Sequence, residues 1–192
     1  EPAGFTAPLP AADAWRLALS IGLPYWIALS AVRVFSFELT MWPEAGVTLV
    51  DPATTYIEPS VQLARDVTIW PNTYLRGATT VGEGSTIGPN TIIENSQIGA
   101  GCRVLASVLE EAVMEDGADI GPFGHLRPGA RLCQGAHMGN FGELKNATLG
   151  PGAAMGHFGY IGDAEIGAGV NIGAGTVTCN FDGTRKQRTV VE

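Results

Sequence analysis

Positive charge is scarce in this chain of 192 residues. There are 11 Lys and Arg against 19 Asp and Glu, which gives a formal net charge of −8. Phosphate backbones and anionic membrane surfaces attract proteins whose basic residues are clustered. The charge balance therefore argues against a nucleic acid or a membrane as a partner, although a small anion would fit wherever a few basic residues converge.

Cysteine is also scarce, with three residues at Cys102, Cys133 and Cys179. The number is odd and there is no CxxC pair, so neither a disulfide framework nor a zinc ribbon is indicated. The three histidines form no HxH or HxxxH pair, and we expect no metal site. Unpaired cysteines are typical of a reducing compartment, so we predict a cytoplasmic protein.

The uncharged run at residues 17–32 is too short to span a bilayer. It has sixteen residues interrupted by Gly22 and Pro24, whereas a helical span needs about 20. Residues 1–43 as a whole are apolar, rich in Trp and Pro, and share no period with the rest. We therefore predict two parts: an atypical N-terminal segment over 1–43, helical or irregular, and a repeat domain over 44–192.

In the second part, glycine repeatedly follows an aliphatic residue at intervals close to six, as in Ile87-Gly88, Ile120-Gly121 and Ile161-Gly162. A strict six-residue row of apolar positions runs through Ile120, Leu126, Leu132, Met138 and Leu144. A helix of period 3.6 cannot keep such a row on one face. The pattern predicts an all-β solenoid of hexapeptide repeats, in which each hexad forms a short strand and a turn and three hexads close a triangular coil of about 18 residues.

Two basic residues, Arg127 and Lys145, are one coil apart in this scheme. Each directly follows an inward aliphatic residue, Leu126 or Leu144, so both should lie on one face about one strand spacing apart. Like charges at that distance repel, and a bound anion would relieve the repulsion. The spacing therefore favours a phosphate site, the alternative being two solvated side chains that splay apart.

His157 lies in a short stretch that also contains Tyr160 and Asp163. A histidine exchanges protons near neutral pH and can act as a general base, although a packing or surface role is the common alternative. Further on, residues 178–188 break the hexad and gather Arg185, Lys186 and Arg188. This pattern indicates a loop that leaves the solenoid.

Several of these segments resemble the acetyltransferase half of the bifunctional GlmU family. The resemblance rests on Ile120-Gly121-Pro122-Phe123, Leu126-Arg127-Pro128-Gly129, Tyr160-Ile161-Gly162-Asp163-Ala164 and Thr178-Cys179-Asn180-Phe181-Asp182-Gly183. It implies a left-handed parallel β-helix and acetyl transfer from acetyl-CoA to glucosamine 1-phosphate. The product would supply UDP-N-acetylglucosamine for peptidoglycan and lipopolysaccharide precursors, and the sites would lie between subunits of a homotrimer.

The resemblance also implies a role for individual residues. His157 aligns with the general base, Arg127 and Lys145 with phosphate-binding residues, and Lys186 with a basic residue on a loop near the substrate. Sugar contacts and positions near acetyl-CoA are implied for two further groups, which are Tyr160 and Asn171 for the sugar, and Ala174, Asn180 and Phe181 for acetyl-CoA. No metal is implied here, since Mg²⁺ would belong to the family's uridyltransferase half.

The chain departs from the family pattern at several places. Gly156, Phe158 and Gly159 stand where Asn, Leu and Ser or Thr are usual, and Phe181 replaces a usual Tyr. The chain ends before the last coils, so we expect an incomplete acetyl-CoA site, and the uridyltransferase half is absent. Two alternatives stay open: a non-catalytic trimerisation module attached to a sugar nucleotidyltransferase, and an acyltransferase for a different substrate.

Overall fold

The computed structural model describes residues 46–192. The expected N-terminal segment 1–43 and its boundary at residue 44 lie outside the described residues. Within 46–192 the chain is almost entirely short strands and turns, with one 3₁₀ helix at Pro52–Thr54 whose first turn is capped by the Asp51 side chain. No helix in this part of the chain is long and apolar enough to cross a membrane.

The strands form three parallel sheets, here called faces A, B and C, which the chain visits in turn. Face A contains Thr48–Leu49, Thr68–Ile69, Thr86–Ile87, Arg103–Val104, Asp119–Ile120, His137–Met138 and Ala154–Met155. Face B contains Thr55–Ile57, Thr73–Arg76, Thr91–Glu94, Val108–Glu110, His125–Leu126, Gly142–Lys145 and Gly159–Gly162. Face C contains Gln62–Leu63, Thr80–Val81, Gln97–Ile98, Val113–Met114, Arg131–Leu132, Thr148–Leu149, Ala164–Ile166 and Thr189–Val191.

Columns of buried aliphatic side chains hold these sheets in register. On face B, Leu126 pairs with Leu144, which pairs with Ile161, and all three side chains are fully buried. Each strand turns its aliphatic residue inward and the residues on either side of it outward. The prediction of an all-β solenoid of hexapeptide repeats is confirmed. The left-handed winding stays a prediction, because strand pairing gives the order of the strands and not the hand of the coil.

The corner between faces A and B, here called the A/B corner, is built differently along the solenoid. Asn72 and Asn90 occupy left-handed backbone at φ 57° and 54°, and the side-chain amide of Asn72 donates to Asn90 Oδ1 at 3.2 Å. On later coils the same left-handed position is taken by Phe123 and Phe141, at φ 62° and 55°. Asn tolerates this conformation well and Phe does not. Backbone conformation therefore does not explain why Phe replaces Asn along this corner.

We expect Leu144→Ala to lower the free energy of unfolding by about 2–5 kcal/mol, because it leaves a cavity in a fully buried column. Val190→Ala is the matched control, since Val190 is 61% exposed on face C and should change the stability by less than about 0.5 kcal/mol. Urea unfolding followed by circular dichroism measures both. Equal losses in the two variants would contradict the assignment of Leu144 to the core.

Candidate functional site

Arg127 and Lys145 lie beside each other on the outside of face B. Their preceding residues, Leu126 and Leu144, are register partners on neighbouring coils, and the backbone N–H of Arg127 donates to the Leu144 carbonyl at 2.8 Å. The two positions are therefore one strand spacing apart, about 4.8 Å. The structure places both side chains as their 18-residue separation predicts.

Glu143 weakens the repulsion between these two cations. Its Oε1 atom accepts a hydrogen bond from Arg127 Nη1 at 2.9 Å, and this bond is the main cause that raises the pKa of Arg127. Arg127 thus has a carboxylate partner, so its repulsion from Lys145 is smaller than the sequence alone suggested. In the described residues, Lys145 has no carboxylate oxygen within 4.0 Å, which leaves it as the more available cation.

Tyr160 brings a hydroxyl group to the same column. Gly162 is the register partner of Lys145, and a Cβ atom built on Gly162 would lie 2.3 Å from the Tyr160 hydroxyl oxygen. The tyrosine ring therefore lies across the glycine, and any side chain at 162 would displace it. After Glu143, Tyr160 is a further cause that raises the pKa of Arg127. A guanidinium, an ammonium and a phenol hydroxyl consequently share one strip of face B.

His157 stands at the A/B corner of the coil that carries Tyr160, and it is exposed. The bridge between Ala154 and Asn171 sets the register of the next coil and places Ala174 above His157. The backbone N–H of Gly175 donates to the Phe158 carbonyl at 2.8 Å, in keeping with this register. His157 and Ala174 are therefore neighbours, as a base and a nearby backbone N–H would need to be.

Asn171 is not brought together with the basic pair within one chain. It continues the outer column of face A through its bridge to Ala154, whereas Arg127, Lys145 and Tyr160 project from face B. The two faces look outward on opposite sides of the A/B corner. A single ligand on face B of one chain therefore does not reach Asn171 of the same chain.

Residues 178–188 form a loop that is fastened to the end of face B. The amide nitrogen of Asn180 donates to the Gly162 carbonyl at 2.7 Å and to the Asp163 carbonyl at 3.2 Å. The Lys186 ammonium pairs with Asp163 Oδ2 at 3.0 Å. The predicted site residues Asn180 and Lys186 thus both make structural contacts, while Phe181 is 63% exposed.

Two carboxylates organise this loop, and sequence reasoning missed both roles. Asp163 accepts from Asn146 Nδ2 at 2.8 Å, and this bond, followed by the one from Lys186, lowers the pKa of Asp163. Asp182 accepts from the backbone N–H groups of Arg185 and Thr184, which lowers the pKa of Asp182. The 17-residue separation of Asn146 and Asp163 is the signal that could have revealed the first contact.

The comparisons with known proteins agree with the repeat fold. The family model described as bacterial transferase hexapeptide (six repeats) matches residues 60–95. The bifunctional protein GlmU of Nostoc sp. is 49% identical over 150 residues, which is 78% of this chain and 33% of that protein. The repeat region is a hexapeptide-repeat domain of the GlmU type. GlmU of Thermus thermophilus is 48% identical over 151 residues, again 78% of this chain and 33% of the relative.

The chain thus spans about a third of the length of the GlmU relatives that it matches. Among solved structures, the UDP-N-acetylglucosamine acyltransferase of Campylobacter jejuni shares 14% identity, covering 68% of this chain and 66% of that one, with a TM-score of 0.46. That likeness adds nothing to the GlmU assignment, which rests on sequence identity and on the repeat register.

Removing the Asp163 carboxylate should loosen the loop of this GlmU-type domain. We expect Asp163→Ala to increase the rate of tryptic cleavage after Arg185, Lys186 and Arg188 by about 10-fold, since Lys186 and Asn146 both lose their partner. Peptide mapping at pH 8 measures the rate. Glu83→Gln, which removes an exposed surface partner of Arg65, is the control and should leave the rate unchanged.

The same carboxylate sets a pH dependence for the loop. The pKa of Asp163 in the folded chain lies below its ordinary value of 3.8. Its contribution is therefore fully present above the unfolded pKa and is lost as the pH falls through the folded value. We therefore expect the amide-exchange protection factors of residues 178–188 to fall as the pH is lowered through this window. Protection factors that are equal on both sides of it would contradict the assignment.

Proposed function

We propose that this domain transfers an acetyl group from acetyl-CoA to the amine of glucosamine 1-phosphate and releases N-acetylglucosamine 1-phosphate and coenzyme A. The observation that supports it best is the strip formed by Arg127, Lys145 and Tyr160 in a chain 49% identical to GlmU. Two cations on adjacent coils suit a phosphate monoester. The product would serve UDP-N-acetylglucosamine synthesis for the bacterial envelope.

In the proposed mechanism, Arg127 and Lys145 hold the substrate phosphate and Tyr160 contacts the sugar. The phosphate would draw Arg127 partly away from Glu143, because a dianion competes with a single carboxylate for the same guanidinium. Lys145 offers its full charge to the ligand. This arrangement fixes the phosphate end of the sugar on face B and directs its amine towards the A/B corner.

His157 is the proposed general base at that corner. It takes a proton from the substrate nitrogen as the nitrogen attacks the thioester carbonyl carbon of acetyl-CoA. The tetrahedral intermediate then collapses, the carbon–sulfur bond breaks, and the coenzyme leaves as a thiolate that takes up the proton held by His157, which regenerates the base. We assign the stabilisation of the oxyanion to the backbone N–H of Ala174, one coil away. No covalent intermediate on the protein is needed, and no metal is assigned to the reaction.

The remaining assigned residues complete the site in a homotrimer. Asn171 would contact the sugar, and Lys186 would approach the substrate from the loop after leaving Asp163. Asn180 and Phe181 would border acetyl-CoA. The three cysteines are unpaired, with Cys102 and Cys133 buried, and we place the reaction in the cytoplasm, where thiols stay reduced.

One observation favours the alternative of a non-catalytic trimerisation module. Within the described residues, the imidazole of His157 makes no hydrogen bond to a group that would orient it, whereas catalytic bases are usually oriented by a third group. A catalytic site that is completed by a second subunit would also explain why His157 has no orienting hydrogen bond within the described residues of one chain. The two functions make opposite predictions for the activity of the assembled protein.

His157→Ala should lower kcat for acetyl transfer at least about 100-fold, because the amine keeps its proton. Thiol release from acetyl-CoA with glucosamine 1-phosphate measures the rate. The control is His125→Gln, which changes only the side chain that hydrogen-bonds Glu110 at 2.9 Å and should retain most of the activity. A trimeric protein that stays inactive even when the chain is extended by further coils would instead support the trimerisation module, whereas inactivity of the short chain alone would reflect its incomplete acetyl-CoA site.

Lys145→Ala should raise KM for glucosamine 1-phosphate about 10-fold to 100-fold, with little change in KM for acetyl-CoA, since a charge-assisted contact to the phosphate is lost. Arg131→Ala is the matched control, because Arg131 is a paired cation on face C of the coil that carries Arg127. If glucosamine without phosphate were acetylated equally well, a different substrate class would follow.

A further inference from the structure

In most coils a hydroxyl group closes the A/B corner from the inside. Five of the eight described coils carry Thr or Ser at the inward position of this corner, and each hydroxyl donates to a carbonyl oxygen two to four residues earlier, at 2.7 to 3.3 Å. The five residues are Thr55, Thr73, Thr91, Ser107 and Thr176. A local side-chain hydrogen bond of this kind fixes the path of a turn.

Three consecutive coils carry glycine at the same position, so their corners lack the hydroxyl. The three are Gly124, Gly142 and Gly159. In each coil, the inward side chain that ends the face A strand lies within 3.0 Å of the place where a Cβ atom of the glycine would be. These side chains are, in the same order, Ile120, Met138 and Met155. Apolar packing thus replaces the hydrogen bond in this part of the solenoid.

His157 stands on the last of these three corners, between Met155 and Gly159. The terminal methyl carbon of Met155 would lie 2.9 Å from a Cβ atom on Gly159 and 3.4 Å from one on Gly142. It therefore lies beneath the corners of two coils. Met155 is only 1% exposed, so the close-packed core fixes its side chain and the turn rests on it.

The turn at residues 156–158 has a different shape from its neighbours. In adjacent coils the residue before the inward position has a positive φ, as at Phe123, Phe141 and Gly175, whereas Phe158 is not among the described residues with a positive φ. The Gly159 N–H donates to the Phe141 carbonyl at 3.4 Å, which is long for an amide hydrogen bond. The packing of Met155 is therefore an important restraint on this turn.

We propose that Met155 is a positioning residue for acetyl transfer, whose side chain supports the turn 156–158 and so holds the imidazole of His157 at the substrate amine. This rests on the proposed function, in which His157 is the general base. It also accounts for one departure from the family pattern, since Gly159 stands where Ser or Thr is usual and Met155 supplies the missing support. Misplacing a reacting group by about 1 Å can cost about 100-fold in rate.

Met155→Ala should lower kcat for acetyl transfer about 10-fold and change KM for glucosamine 1-phosphate and for acetyl-CoA less than about 2-fold, because the base is misplaced while the substrate contacts on face B stay. Met155→Ile should keep kcat within about 3-fold, since Ile120 already fills the same space beneath Gly124. Thiol release gives these constants, measured on this chain and on a version extended by further coils.

Met114→Ala is the matched control. Met114 is also 1% exposed, but it points inward from face C, which carries no residue of the candidate site. This variant should lower the thermal stability as Met155→Ala does and leave kcat unchanged. Equal losses of kcat in the two alanine variants, or a kcat of Met155→Ala within about 2-fold of the unsubstituted chain, would overturn the proposal.

Histidine NMR tests the positioning without an activity measurement. The chain has three histidines, His125, His137 and His157, and His157→Ala identifies the signal of the third. With ¹³C at the imidazole Cε1 atoms, Met155→Ala should shift or broaden the signal of His157 alone, and Met114→Ala should change none of the three. A His157 signal that stays the same in Met155→Ala would refute the positioning role even if kcat fell.

These measurements separate the positioning role from the proposed function. If no version of the chain transferred acetyl groups, the proposed function would fail, and the NMR signal would still decide whether Met155 holds His157. If Met155→Ala did not fold, Met155→Val is the smaller change, because Val104 occupies the same inward column of face A. A lower kcat and a shifted His157 signal are expected again, and unchanged values of both would rule the role out.

Discussion

The inward column of aliphatic side chains is the constraint on which the rest of this structure depends. Leu126, Leu144 and Ile161 must stack because each coil is too small to bury its apolar residues alone. That stacking fixes the height and the direction of every outward neighbour. The adjacency of Arg127 and Lys145 is therefore a by-product of core packing, and changes in the core would move the candidate site with it.

Two cations of the candidate site are paired with carboxylates of the same chain. Glu143 neutralises Arg127 and Asp163 neutralises Lys186, so these cations have internal partners that an incoming phosphate would have to replace. Both pairs are partly exposed, and a single ion pair at such a position contributes little to stability. They are better understood as contacts that hold the side chains in place at low energy and that a doubly charged ligand can break.

Faces A and B divide the candidate site between them. His157 at the corner and the basic strip on face B lie on a different side of the solenoid from Asn171 on face A. The phenylalanines that adopt unfavourable backbone lie at that same corner.

The sequence by itself determined the solenoid, its period and the adjacency of Arg127 and Lys145, because a hexad row leaves only one way to bury its aliphatic residues. It also indicated the loop at 178–188, where the hexad stops. The GlmU resemblance supplied the site residues, and the structure brings most of them to one corner and one face.

Only the tertiary structure decided which groups contact one another across coils. Glu143 binds Arg127, Tyr160 lies over Gly162, and Asp163 holds both Asn146 and Lys186. These contacts join residues in different coils or depend on side-chain rotamers and on the path of a non-repeating loop. Periodicity fixes backbone register, but it does not fix where a long side chain ends or which face a distant residue such as Asn171 shares.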